Sequence, residues 1–421
     1  MEKQNWFKNF LKGKKSKKKR IIQLILGFFI LFLGIASIWF CNIFQVDSTD
    51  LPKIYLYSTG AIPFKDKSSA YFSYISNDPE IDHIYFQKIR IKARGGSTEN
   101  LPKQNFTIEL SSNHSLGGLE QEDDWILNAS FLDKSFIRHA LSFELFKSFD
   151  KKHKAPGCRY VEVYKNFRYQ GLYVLMERMD KDRLEINTSD KSACLFKEPP
   201  VFVDPKYFVN SNPYKKNDAY HQKFPKLEEL NKSKDLEKLR NFIANSPDSL
   251  FNEKIGSYFD MDNIMDWHLL LLFTNNGDGL VKNFYLYKKD RGTAFRVVPW
   301  DYDHTFGRDG DNEPNKQEIM KIDRNTLLSR LVSLNTDSYL ERLKNRYNEL
   351  KKSGKLSTKM LVKQIDQEYT RIHDFAKKNE DRWPVKAVYF FDDANFENEI
   401  RSIKKWIPIQ LKLMDDYFDS F

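Results

Sequence analysis

From position 52 to 110 the chain alternates apolar and polar residues with a period of two. KIYLYS (53–58), SAYFSYI (69–75), HIYFQKIRIKA (83–93) and QNFTIEL (104–110) are rich in aromatic and β-branched residues. That pattern predicts four strands. Between the last two, residues 94–103 read RGGSTENLPK, a loop punctuated by glycine and proline. The period then becomes helical: Phe136, Ile137, Ala140, Leu141, Phe143 and Leu145 form a broad apolar face, with Asp133 as the expected N-cap. Two more strands, RYVEVY (159–164) and GLYVLMER (171–178), follow around a turn at 165–168. Residues 198–260 are rich in Pro, Asn and Lys and predict a long excursion with a short helix. A helix over 261–273 leads into Asn275-Asn276-Gly277-Asp278. FYLY (284–287) and AFRVVPW (294–300) predict a hairpin, and 325–421 predict helices broken near Pro384. No internal repeat is visible.

Near the start, IIQLILGFFILFLGIASIWF (21–40) runs for twenty residues without a charge. As a helix it would extend about 30 Å, the thickness of a bilayer's hydrocarbon core. It is longer than the apolar region of a signal peptide, and Ile38, Trp39 and Phe40 before Cys41 are poor cleavage-site residues. A transmembrane anchor over 21–41 is therefore expected. Residues 1–20 carry nine Lys or Arg against the single anion Glu2. That bias predicts a cytoplasmic N-terminus and a large extracytoplasmic domain on a single-pass membrane protein.

Charge counting also disposes of the basic pI as a nucleic-acid signature. The tail contributes +8 of the formal +10 and 21–41 contribute nothing, so the remainder nets only +2. A nearly neutral domain has no general attraction for nucleic acid. Three cysteines are too few for a disulfide scaffold, although Cys158 and Cys194 would be able to pair in an oxidising compartment. With 34 Phe and 21 Tyr the core should be aromatic-rich.

Acidic residues gather at the ends of the expected hairpin. Asp278 lies five positions before Asn283, ahead of the first strand, and Asp301 and Asp303 follow the second. A hairpin brings its outer ends together, so these four should converge. Carboxylates and an amide oxygen suit a hard divalent cation, and a base beside it would orient a hydroxyl for attack on a phosphoryl group. The D-x-x-x-x-N spacing is that of the protein-kinase catalytic loop. Asp at strand ends also caps turns and Asn-Gly-Asp-Gly is ordinary turn chemistry, so spacing leaves both readings open. The histidines, His268 and His304 among them, show no triad-like or zinc-like spacing and read as structural.

Several blocks resemble the spore-coat-protein-H (CotH) kinase-like family. They are RGGSTENLPKQNFTIEL (94–110), WILNASFLDKSFIRHALSFELF (125–146), YVEVYKNFRYQGLYVLMERMD (160–180), HQKFPK (221–226), DGLVKNFYLY (278–287) and VVPWDYDHTFG (297–307), with a helical tail that includes Arg382-Trp383. The resemblance implies an α+β, atypical protein-kinase-like two-lobed domain with a helical C-terminal region, here preceded by one transmembrane helix. The domain would occupy 52–421, with a strand-rich lobe over 52–197 and a second lobe over 198–421. Its implied activity is transfer of phosphate from ATP to Ser/Thr of a protein substrate, with Mg²⁺ or Mn²⁺. By the same resemblance Asp278 is the catalytic Asp, Asn283 and Asp301 are metal ligands, and Asp303 is a supporting ligand. Arg94 and Lys103 take the phosphate-covering position, although no G-x-G-x-x-G is present, and Lys197 is a rival for the phosphate. Leu172 to Glu177 resembles a hinge strand that would bind adenine. The alternative function is a catalytically inactive, kinase-like structural or binding protein of the cell envelope.

Overall fold

The computed structural model describes residues 50–203 (without 77 and 79), 221–309, 313–384 and 392–421 (without 393), together with 25, 27–29 and 386. Seven strands, β1 (Lys53–Tyr57), β2 (Ser68–Ile75), β3 (Ile84–Arg94), β4 (Asn105–His114), β5 (Glu122–Asn128), β6 (Cys158–Lys165) and β7 (Arg168–Glu177), close into a barrel of order β1-β2-β3-β4-β5-β7-β6. Closure comes from β1, which pairs antiparallel with β2 on one edge and parallel with β6 on the other. Each strand therefore has both edges hydrogen-bonded, which removes the exposed edge of an open sheet.

This barrel overturns the expected kinase-like two-lobed architecture. Six of its strands match the alternating segments in the sequence. The seventh, β5, escaped the pattern because it starts on Glu122-Asp123-Asp124, and the β1–β6 pairing joins residues more than a hundred positions apart. The expected transmembrane helix is likewise corrected: among the described residues no helix is long and apolar enough to cross a membrane. The tail and most of 21–41 lie outside the described residues. The single-pass membrane placement with an extracytoplasmic domain, which rested on that helix, loses its support.

Alternation along β7 sorts side chains between two cores. Tyr173 and Leu175 point into the barrel with Trp125, Leu127 and Val163, whereas Leu172, Val174 and Met176 face the helices. Beyond that face lie α1 (Arg138–Phe149), which packs on β6, and, after two helices α2 (Ser233–Asn245) and α3 (Asp248–Tyr258), the almost fully buried α4 (Met261–Thr274), which packs on α1. A second sheet of order β11-β10-β8-β9 comprises β8 (Cys194–Lys197), β9 (Gln222–Phe224), β10 (Phe284–Lys288) and β11 (Arg296–Pro299). Helices α5 (Thr326–Ser333), α6 (Tyr339–Lys352), α7 (Thr358–Arg382) and α8 (Phe396–Asp419) complete the fold. Asp133 does not cap α1, which starts five residues later; its carboxylate accepts from the Ser135 N–H and from Arg138 instead. Cys158 and Cys194 are both buried free thiols.

Glu122 gives the barrel a pH dependence. Burial pushes its carboxyl up to about 7 from 4.5. A folded-state pKa above the unfolded value means the native state holds the proton more tightly, so stability falls as pH rises through this window. Glu122→Gln should raise Tm at pH 8 and leave it nearly unchanged at pH 4; equal shifts at both would exclude this origin.

Candidate functional site

The site forms where the β10–β11 hairpin meets α1 and α4. Helix α4 ends at Asn275, whose φ of 53° breaks the helix in the left-handed region that Asn tolerates. Asn276 is fully buried and its Oδ1 accepts from the Gly279 N–H at 2.8 Å, which tightens the turn carrying Asp278. Asp278 sits at the mouth of that turn with its carboxylate 3.0 Å from Lys282 Nζ. The next residue, Asn283, donates from Nδ2 to the Asp301 carbonyl at 3.0 Å, and the Trp300 N–H donates to the Asn283 carbonyl at 3.0 Å. The two outer ends of the hairpin are thus tied together. Both Asn283 (φ 60°) and Asp301 (φ 57°) hold left-handed backbone, a conformation that concentrates at functional sites.

A buried imidazole joins them. His139 of α1 places Nε2 3.4 Å from Asp301 Oδ1, and ligand atoms of His139, Asp301 and Asp303 all lie within 4.8 Å of one another. His139 is 1% exposed whereas the Asp301 side chain is 49% exposed, so the cluster has a dry wall and a wet mouth. Burial pushes Asp301 up, but the hydrogen bond and charge of His139, aided by Lys197 and Arg94, hold it below the usual carboxylate range. Asp303 moves the other way: burial raises it, and the neighbouring Asp301 adds to the rise despite His304. His139 loses charge preference through burial yet gains more from Asp301 and Asp303, and ends raised. Two carboxylates and an imidazole at this spacing fit a divalent cation.

The cations expected to meet nucleotide divide into two sets. Arg94 and Lys197 come together, their charged groups 5.7 and 5.6 Å from the centre of the Trp300 ring, next to Asp301. Lys103 goes elsewhere. It is 2% exposed and donates to the Ala129 carbonyl at 2.6 Å, the Leu172 carbonyl at 2.5 Å and Asn379 Oδ1 at 2.9 Å. An ammonium has three protons and here all three are committed, so Lys103 locks the barrel to α7. Burial drives its pKa well below the ordinary lysine value, with Lys134 adding to the fall. Glu177 is also structural in its contacts, accepting from the Gly157 N–H at 2.7 Å and from Arg183 at 2.8 Å. The strand that ends there is paired with β5 on one side and β6 on the other, so it lacks the open edge a hinge would offer adenine.

A buried ion network fixes the loop that carries the two carboxylates. Arg138, next to His139, bonds Asp133 at 2.6 Å, Glu399 at 2.6 Å and the Thr305 carbonyl at 2.8 Å. Arg308 pairs with Glu399 and with Asp392 at 2.7 Å. The Phe306 N–H donates to the Thr274 carbonyl at 2.9 Å, so loop and α4 are joined directly. Gly307 (φ 97°) passes so close to Trp406 that a Cβ would meet the indole at 3.3 Å. Sequence reading missed His139 and Arg138 because the contacts that bring them to the site, with Asp301 and with the Thr305 carbonyl, span more than 160 positions, beyond any spacing rule.

Inner spore coat protein H of Bacillus subtilis (strain 168) is 26% identical over 250 residues, covering 58% of this chain and 66% of that protein, just under two thirds of its length. The family model described as CotH kinase protein matches residues 91–414, a span that includes Arg94, His139, Lys197, Asp278, Asn283, Asp301 and Asp303. A match over so much of the molecule, site included, shows that the chain belongs to the CotH kinase protein family.

Proposed function

We propose that this chain transfers the γ-phosphate of ATP to Ser or Thr hydroxyls of a protein, using Mg²⁺ or Mn²⁺. The observation that carries the reading is the gathering of Asn283, Asp301 and Asp303 next to Arg94 and Lys197 at Trp300. Asp301 and Asp303 would hold the cation, and Asn283, whose Nδ2 is tied to the Asp301 carbonyl, would offer its amide oxygen. When bound, the cation neutralises charge on the phosphate oxygens. Arg94 and Lys197 pair with the remaining phosphate charge from the Trp300 side. Asp278 accepts the proton of the acceptor hydroxyl as its oxygen bonds to the γ-phosphorus and the bond to the ADP oxygen breaks.

Asp278→Asn separates this chemistry from binding. The variant should retain ATP while phosphorylating a Ser/Thr substrate roughly 10²-fold more slowly or worse. The unsubstituted protein should lose ATP in EDTA. ATP binding that is indifferent to EDTA, or wild-type turnover by Asp278→Asn, would defeat the assignment. The second reading, a non-catalytic coat or binding protein, is favoured by the relative's printed name and would then take its place.

A further inference from the structure

We propose that His139 is a direct nitrogen ligand of the cation held by Asp301 and Asp303, and that it biases the site toward Mn²⁺ over Mg²⁺. The inference rests on the cation-dependent phosphoryl-transfer reading above and names which metal that site selects.

Its first support is distance. Two donor atoms each roughly 2.1–2.2 Å from one ion and at right angles to each other lie about 3 Å apart. His139 Nε2 and Asp301 Oδ1 are 3.4 Å apart, so a shift of a few tenths of an ångström admits an ion between them. Asp303 stands within the same 4.8 Å cluster and supplies a third donor. The imidazole also has little freedom to turn away. Its ring packs edge-on against Phe143 at 5.7 Å, and the adjacent Arg138 is held from both sides by Asp133 and Glu399. Its Nδ1 is buried with no hydrogen-bond partner among the described residues, so the ring's polar contact is the one made toward Asp301.

Chemistry then selects the metal. Mg²⁺ demands a near-ideal shell of oxygen donors and gives up water reluctantly, whereas an imidazole nitrogen is a good ligand for first-row transition ions. A buried nitrogen fixed beside two carboxylates favours the latter, and Mn²⁺ still accepts the oxygen donors that the rest of the site provides.

The test uses the full chain and Mn²⁺ alone as probe. Pulsed electron paramagnetic resonance of the Mn²⁺ complex should show coupling to one imidazole ¹⁴N, replaced by ¹⁵N coupling in protein labelled at histidine. His139→Gln should abolish the coupling and weaken Mn²⁺ roughly tenfold or more, with a smaller change for Mg²⁺ measured by competition. Absence of nitrogen coupling in the unsubstituted protein overturns the proposal, whatever the variant's folding does. An unchanged Mn²⁺/Mg²⁺ affinity ratio in folded His139→Gln also overturns it. Nitrogen coupling in a protein that binds no ATP would uphold the ligand while removing the phosphoryl-transfer reading. ATP binding without nitrogen coupling would do the reverse.

Discussion

Asp301→Asn is expected to abolish metal-supported ATP binding and turnover together. A triphosphate with about four negative charges cannot settle beside Asp301 and Asp303 unless a divalent cation lies between. Asp301 is the natural principal ligand because it stands at the centre of the cluster, its carboxylate 3.4 Å from His139 Nε2 and its carbonyl bonded to Asn283. Asn is the informative replacement. It tolerates the left-handed φ of 57° that would strain most residues, so the backbone and the Asn283 bond to the 301 carbonyl should persist. Calorimetric titration with ATP and either metal would read the loss, alongside a melting curve. A folded Asp301→Asn protein that binds ATP as tightly as the parent would remove this residue from the metal site. Asp278→Asn, in contrast, should fail at the acceptor step and not at the nucleotide.

Arg138→Met should cost the fold about 3–5 kcal/mol, the usual penalty for stripping one partner from a buried charge pair. Arg138 is 1% exposed and faces two carboxylates with side chains almost wholly out of water. Glu399 keeps Arg308, but Asp133 is left with the Ser135 hydroxyl and N–H as its surviving partners among the bonds described. The lost bond to the Thr305 carbonyl also releases one anchor of the 301–308 loop. Urea unfolding should show the midpoint fall with the slope unchanged, and Mn²⁺ affinity should drop in parallel. A stable Arg138→Met protein with normal metal affinity would mean that the loop is held by the Phe306–Thr274 bond and Gly307 packing alone.

Local pattern was enough for most elements because alternation and helical period are written in neighbouring residues. Six barrel strands, helix α4 and the β10–β11 hairpin all follow from it, and the hairpin in turn places Asn283 beside Asp301. Asp133 misled because an Asp before an apolar helix is a good cap unless a buried arginine claims it, and that arginine's other partner, Glu399, is 261 positions away. The apolar run at 21–40 suggested a membrane span by length and charge flanks alone, and the described structure holds no helix that meets those demands.

Sequence by itself therefore determined most of the elements, the aromatic core and the likeness to one family. Only the tertiary structure decided the closed barrel, since strand partners such as Ile54 and Val163 are set by nonlocal packing. It alone separated Arg94 and Lys197, gathered at Trp300, from Lys103, whose Nζ is buried against three oxygens. It alone brought His139 to Asp301. Charge and residue type can be read along a chain, but whether a charge faces solvent or is locked into the fold depends on which distant surfaces close over it.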